Sequence, residues 1–200
     1  MTIRTMRRMG VALLMALALS TPVFAQSVDD QVSLHAALGP SFGNLGTTFS
    51  TSAGLDFTLN DRTTLVGEFG LLRHAPFDEA SEIAAPLPTT GSGSPRVNGY
   101  HWNANVKVRP FEFGRIEPYV TGGIGWFAAD TIVENQSIGT STIEDRRRVT
   151  DFATNVGAGL MYRLTDWVGL SADYRTFFVH RDDDTPRVNR FTTGLTFSFE

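Results

Sequence analysis

Charged side chains stand inside stretches of this sequence that otherwise alternate between apolar and small residues. Positions two apart along an extended chain share one face, so these side chains are expected to point into the same space. Buried ions are stable only when they are paired, and both signs occur here. The pattern predicts a charge-paired network or, alternatively, a gated path for protons or small ions, formed by Asp56, Glu68, Lys107, Arg163, Asp173 and Arg175.

Histidine and serine are poorly placed for nucleophilic catalysis. His35 and His101 share the polar face with the charged residues, whereas His74 and His180 lie where the alternation ends. Acyl transfer of the triad type needs a hydroxyl within hydrogen-bond reach of an imidazole that an acid orients. Only Ser33 lies within two residues of a histidine. The sequence therefore predicts no catalytic site, and it predicts no metal or cofactor.

The amino terminus carries the three parts of a secretory signal peptide, namely a basic start, a short apolar run and small residues before a cleavage point. The apolar run covers residues 11–19, and Gln26 follows the small residues. We predict a signal peptide over 1–25 and a single domain over 26–200. Cleavage removes three of 17 basic residues and none of 21 acidic ones, so the net charge changes from −4 to −7. A net acidic domain argues against a nucleic-acid partner.

Alternation with a period of two runs through most of the remaining chain. In the stretch 49–60, for example, Phe49, Leu55 and Phe57 fall on one face and Asp56 on the other. This period predicts β-strands, each with about the 9–11 residues that a tilted strand needs to cross a bilayer, or a little longer. We predict eight strands, near residues 31–42, 49–60, 63–73, 98–109, 117–128, 150–164, 167–179 and 189–199.

The predicted connections differ in length at the two ends of the strands. The second and third strands join through Asn60-Asp61-Arg62 and the sixth and seventh through Thr165-Asp166. Three longer connections cover 74–97, 129–149 and 180–188, whereas the fourth connection at this end, 43–48, is short. Short turns at one end and long loops at the other are the arrangement of outer-membrane barrels.

A soluble lipocalin-like carrier also alternates, with its apolar face turned inward. The glycine-rich polar face favours the membrane barrel, because small residues suit the crowded interior of eight strands. Large aromatic residues near the strand ends favour it as well, because such residues form belts at the two membrane interfaces. The predicted belts contain Tyr100, Trp102, Trp126 and Phe178 at the long-loop end, and Tyr162, Trp167, Phe197 and Phe199 at the short-turn end.

Charged and flexible segments in the predicted long loops offer further candidate sites. The run EDRRR, residues 144–148, contains arginines of the kind that bind lipopolysaccharide phosphates. The run RDDD, residues 181–184, contains hard oxygen ligands suited to a divalent cation. The alternative for both is ordinary solvated charge. The segment PLPTTGSGSP, residues 86–95, contains no pattern that indicates a particular binding partner.

The chain ends in RFTTGLTFSFE, an apolar stripe in a place where chains are usually polar and frayed. Its spacing resembles the carboxy-terminal signal that the outer-membrane assembly machinery reads. One difference is Glu200, because that signal usually ends on the aromatic residue. The residues that carry this resemblance are Thr192, Gly194, Phe197 and Phe199.

The stretches EPYVTGGIGWF and NVGAGLMYRLTDWVGLSADYR resemble the outer-membrane-protein beta-barrel family, the small OmpA/OmpX-like barrels. The resemblance implies an all-β, eight-stranded antiparallel up-and-down transmembrane barrel in the outer membrane of a Gram-negative bacterium. It also implies a monomer whose partners are outer-membrane lipids, lipopolysaccharide and the assembly machinery. Related barrels include adhesins, structural anchors, narrow pores and enzymes that act on lipid A.

We therefore expect a non-enzymatic protein with a structural or surface-interaction role. The alternative is a narrow passive channel for small or apolar solutes. A lipid A-modifying enzyme and a soluble periplasmic carrier are two further alternatives, and fold alone does not choose among them.

Overall fold

The residues that the computed structural model describes are 32–44, 46–76, 96–134, 144–181 and 184–199. The predicted signal peptide over 1–25 and the segment 86–95 lie outside these ranges, and the signal peptide stays a prediction.

All regular structure in the described ranges is β-strand, as the alternation predicted. Each strand turns its apolar residues to one face and its polar or small residues to the other. The eight strands are β1 (Val32–Gly43), β2 (Thr48–Asn60), β3 (Thr63–Pro76), β4 (Arg96–Val108), β5 (Ile116–Glu134), β6 (Glu144–Arg163), β7 (Val168–His180) and β8 (Arg187–Phe199). Within the described ranges, no helix has the length and hydropathy required to cross a membrane.

Two strands are much longer than the sequence suggested. The connection expected over 129–149 is in large part strand, because β5 continues to Glu134 and β6 begins at Glu144. The prediction that the EDRRR run is a loop was therefore wrong. Thr131, Ile132 and Val133 are β-branched and favour extended backbone. The two strands stay paired up to Glu134 and Glu144.

The sheet closes on itself without an open edge along the shared height of the strands. Each strand pairs antiparallel with the next, and β8 pairs with β1. The row of Cα partners that starts at Gly43 passes once round the barrel and returns to β1 at Ser33, ten residues nearer the amino terminus. This stagger tilts the strands relative to the barrel axis. Side chains that meet in the interior therefore come from different positions along their strands.

The two predicted tight turns are present at the short-turn end of the barrel. In the β2–β3 turn, Asn60 Oδ1 accepts hydrogen bonds from the backbone N–H groups of Arg62 and Thr63, at 3.0 and 2.9 Å. In the β6–β7 turn, Thr165 Oγ1 accepts one from Val168 N at 3.0 Å. Side chains of this kind replace backbone hydrogen bonds in turns.

The apolar face of the barrel points outward. Leu34, Phe57 and Val156 leave 47%, 45% and 56% of their surface exposed. A carrier of apolar cargo would turn these residues inward, so the soluble carrier alternative is wrong. The outward apolar surface is suited to lipid, and the polar residues are enclosed.

Candidate functional site

The interior of the barrel holds a group of charged and polar side chains that we call the charge cluster. Five of the six charged residues predicted to face inward belong to it, and its three acidic residues are balanced by three lysine and arginine residues. Its residues come from seven of the eight strands and are almost fully enclosed. The members are His35, Asp56, Glu68, His101, Lys107, Tyr119, Asp173, Arg175 and Arg190.

Glu68 on β3 is the centre of the cluster. Its Oε1 lies 2.8 Å from Arg190 Nη2 and 3.4 Å from Arg175 Nη1. Its Oε2 lies 3.5 Å from His35 Nε2. All three bases come from strands that are not adjacent to β3, so this carboxylate links opposite walls of the barrel.

Asp56 and Asp173 accept further hydrogen bonds of the cluster. Lys107 Nζ donates to Asp56 Oδ2 at 2.7 Å, and His35 Nδ1 lies 2.7 Å from Asp56 Oδ1. Tyr119 donates its hydroxyl hydrogen to Asp173 Oδ2 at 3.1 Å. Each buried carboxylate thus has at least two donors, which is the condition for keeping ions stable in a closed interior.

The hydrogen-bond partners of His101 indicate that its imidazole ring is neutral. Arg190 Nη1 donates to His101 Nε2 at 2.9 Å, so that ring nitrogen is an acceptor. The other nitrogen, Nδ1, faces the side-chain amide of Asn103 at 2.9 Å. A neutral imidazole has one donor and one acceptor. Nδ1 therefore carries the hydrogen and donates it to the amide oxygen of Asn103, and oxygen and nitrogen in that amide are interchangeable by rotation.

Arg163 lies apart from the cluster, although it has the inward parity that the sequence suggested. It is the last residue of β6, so its guanidinium reaches the short-turn rim and is 45% exposed. There it binds the buried carboxylate of Glu117, which also accepts from Arg109 Nη1 at 3.1 Å. Arg109, Glu117 and Arg163 form a second group, which we call the rim cluster.

Sequence reasoning missed Arg190, Tyr119 and Glu117 as interior residues. Arg190 has the same parity as Thr192, two residues farther along β8, so continuing the alternation by one step identifies it. Tyr119 and Glu117 have the same parity as Thr121 on β5. Their placement beside proline and near a predicted strand end concealed this pattern.

Apolar side chains fill the interior on the long-loop side of the charge cluster, and we call them the apolar layer. Along β7, Asp173 and Arg175 are followed at the next two inward positions by Phe177 and Val179. Along β3, the next two inward positions after Glu68 are Gly70 and Leu72. The layer is fully buried and consists of Leu72, Val97, Phe127, Ala129, Ala153, Phe177, Val179 and Val188.

The free space among the side chains of the charge cluster is small. A cavity of about 30 Å³ lies among the charged side chains, beside Ala37, Met161 and Ser171. That volume holds one or two water molecules. Phe177 of the apolar layer packs on the ring of His101 in the charge cluster, with centroids 4.9 Å apart.

The aromatic residues expected at the membrane interfaces point outward. Trp102 and Trp126 stack with ring centroids 4.3 Å apart, and the Arg187 guanidinium lies over Phe178. The Tyr100 ring lies beneath Arg148. Tyr162, Trp167, Phe197 and Phe199 are exposed near the opposite, short-turn end. Their location at the two lipid interfaces stays a prediction.

The residues of the expected assembly signal lie on both faces of β8. Phe197 and Phe199 point outward and stand opposite Leu34 and Val32 of β1. Thr192 is buried in the interior, and Gly194 lies against Ala37. The segment thus closes the barrel, whereas its recognition by assembly machinery stays a prediction.

Two charged runs have partners in the structure. In the EDRRR run, Arg148 donates to both oxygens of Asp130, at 2.5 and 2.8 Å. At the start of the RDDD run, Arg181 Nε lies 2.7 Å from Asp151. The next two residues of that run lie outside the described part of the chain, and a cation site there stays a prediction.

Comparison with known proteins agrees with this architecture. Surface protein A of Neisseria has a similar structure, with a TM-score of 0.57 and 17% identity, over 84% of this chain and 96% of that one. Ail, the attachment invasion locus protein of Yersinia pestis, gives 0.50 and 16%, over 86% and 100%. A major outer membrane protein of Thermus thermophilus gives 0.64 and 10%, over 86% and 100%.

A search among curated proteins finds no matching sequence. The family model described as "Outer membrane protein beta-barrel domain" matches residues 11–199. The match spans nearly the whole chain and agrees with the closed eight-stranded fold. This chain therefore belongs to the outer membrane protein beta-barrel domain family and is a protein of the outer membrane of Gram-negative bacteria.

Proposed function

We propose that this protein is a non-enzymatic surface protein whose long β5–β6 hairpin mediates interactions outside the cell. The observation that carries the proposal is that β5 and β6 extend beyond their neighbour β7 at the long-loop end of the barrel. β6 pairs with β5 from Glu144 onward, but it pairs with β7 only from Phe152 onward. Among the described residues, no strand pairs with the second edge of 144–151. That edge is about 26 Å long, at roughly 3.3 Å per residue.

A free edge of this length is a site for recognition by strand addition. Its N–H and C=O groups are available to an extended segment of another protein. The hydrogen bonds from Arg148 to Asp130 link the two strands of the hairpin and raise the pKa of Arg148. The Arg148 guanidinium also lies over the Tyr100 ring of β4, at 5.6 Å from its centroid. A hairpin fixed in this way loses little freedom on binding, which favours affinity.

The names of two structural neighbours are consistent with this role. One is called a surface protein and another an attachment protein, and both are small barrels of similar fold. Their low identity makes this likeness support for the proposal and no more.

Shortening the hairpin tests the proposal. A variant in which Asn-Gly replaces residues 131–147 keeps the Asp130–Arg148 pair and removes the outer half of the free edge, residues 144–147. We expect bacteria that display this variant to adhere to epithelial monolayers less than bacteria with the full hairpin. Arg147→Gln is the matched control, because it changes an exposed side chain and leaves the backbone edge in place. Equal adherence of the shortened and full-length forms would contradict the proposal.

The filled interior makes a channel function the weaker alternative. The charge cluster and the apolar layer occupy the space through which a solute would pass. We expect no single-channel conductance across a planar bilayer. A conductance that Glu68→Ala and Arg175→Ala alter would support the channel instead.

The positions of the three histidines whose side chains the structure describes support a non-enzymatic role. His35 and His101 are enclosed in the barrel, out of reach of lipid. The exposed His180 contacts Thr154 Oγ1 at 2.9 Å and stacks on Phe152. Overexpression should therefore leave the lipid A mass spectrum unchanged, and a new lipid A species would overturn this part of the proposal.

A further inference from the structure

A groove on the outer face of β3 and β4 lies at the long-loop end of the barrel, which is the extracellular end in outer-membrane barrels. The pairing of these strands shifts between Leu72 and Ala75, where two residues of β3 stand opposite Asn98 alone. Such a β-bulge bends the strand and opens the sheet locally. The groove has a volume of about 200 Å³ and is lined by Leu71, Leu72, Arg73, Asn98, Gly99 and Tyr100.

Arg73 brings to this groove a positive charge that pairs with no acid in the described part of the chain. It has the same outward parity as Phe69 and Leu71, and it stands opposite the exposed Phe49 of β2. Its backbone carbonyl accepts a hydrogen bond from Thr48 Oγ1, which fixes the backbone. Its guanidinium has no ion pair or hydrogen bond with any described residue. A guanidinium beside an apolar membrane surface is stable when it binds an anion or reaches water.

The surroundings of Arg73 are aromatic and apolar. Tyr100 forms one wall, and Trp102 is the next outward residue on β4, toward the membrane. Arg148 lies over Tyr100, but its charge is balanced by Asp130. Among the described residues around the groove, Arg73 therefore supplies the charge that no acid compensates. Since aromatic residues mark the interface between acyl chains and headgroups, we expect the groove to lie at the level of the lipid headgroups.

We propose that this groove binds the phosphate-bearing headgroup of an outer-leaflet lipid. Arg73 donates two hydrogen bonds to the phosphate oxygens, in the forked geometry that arginine offers. Leu71 and Trp102 contact the upper part of an acyl chain. The proposal does not depend on the β5–β6 hairpin, so the adhesion experiment and this one can fail separately.

Native mass spectrometry of the folded protein in detergent, titrated with bisphosphorylated lipid A, tests the site. We expect Arg73→Gln to weaken binding about tenfold, which is the scale of one charge-assisted interaction. Arg73→Lys keeps the charge and should restore most of the affinity. Arg62→Gln is the control, because Arg62 is an exposed arginine in the β2–β3 turn at the opposite end. It should leave the affinity unchanged.

Two further ligands identify the source of the phosphate. Dephosphorylated lipid A should bind the unaltered protein about as weakly as bisphosphorylated lipid A binds Arg73→Gln. Inorganic phosphate at the same concentration should not displace the lipid. The proposal is overturned by equal affinity of Arg73→Gln and the unaltered protein, by full binding of the dephosphorylated lipid, or by displacement with inorganic phosphate. Heat-dependent gel mobility confirms that each variant is folded.

Discussion

Glu68 is the residue on which the interior charge balance depends most. It contacts Arg175 and Arg190 from strands on the far wall, and His35 from a third direction. Removing one partner of a buried ion pair is costly because the other charge remains enclosed. A substitution of Glu68 should therefore lower the free energy of unfolding more than a substitution at the short-turn rim does.

Glu68→Gln should lower the free energy of unfolding by about 3–5 kcal/mol, because two buried guanidinium groups lose their shared carboxylate. Urea unfolding in detergent micelles at neutral pH measures the change. The control is Glu112→Gln at the rim, where the carboxylate lies 4.0 Å from Arg163 and is half exposed. There the loss should stay below about 1 kcal/mol. Equal losses in the two variants would show that the cluster contributes no special stability.

Two glycines of β3 allow a comparison of the inner and outer faces. A Cβ on Gly70 would overlap the His101 ring, whereas a Cβ on Gly67 would meet nothing within 4 Å. Gly70→Ala should therefore lower the free energy of unfolding by about 1–3 kcal/mol, as overpacking does. Gly67→Ala should be neutral or slightly stabilising, because alanine restricts the unfolded chain. Thermal unfolding of both variants provides the test, and the reverse order would contradict the assigned faces.

At the scale of the strands, alternation predicts a boundary well where one face contacts lipid. β2 and β7 begin and end within one residue of the expected positions. The alternation does not predict where β5 ends or where β6 begins, because a strand segment outside the membrane needs no apolar face. Arg147 and Arg148 occupy opposite faces of β6 there, and both are exposed. Without an apolar face, a long strand has the same composition as a loop.

The closing strand β8 should be sensitive to loss of its last aromatic residue. Phe199→Ala removes an outward ring next to β1 and the final aromatic residue of the expected assembly signal. We expect less folded protein in the outer-membrane fraction at equal synthesis. Thr193→Ala, an outward change on the same strand, should leave the yield unchanged. Equal yields for both variants would mean that the terminal aromatic residue does not direct assembly.

At the scale of the whole molecule, the sequence could place side chains inside the barrel but could not pair them. Parity alone assigned Asp56, Glu68 and Lys107 to the interior. Which acid meets which base depends on the stagger of the strands, and that quantity comes from the complete set of registers. The contact between Glu68 and Arg190, which are far apart in sequence, is an example.

Complete closure should make the barrel unfold as one unit. Every strand has two neighbours along the membrane-spanning height, so no edge is available from which the ladder opens gradually. An unheated sample in dodecyl sulfate should therefore migrate differently from a boiled one. Intermediate heating should convert one band into the other without species between them. A smear, or identical mobility of the two samples, would contradict cooperative closure.

The apolar layer also determines what separates the charge cluster from each end of the barrel. It lies between the cluster and the extracellular end, whereas the rim cluster at the other end is partly open to solvent. A water molecule that moves between the charge cluster and the long-loop end must therefore cross packed apolar side chains. Toward the short-turn end, by contrast, the next charged groups are those of the rim cluster.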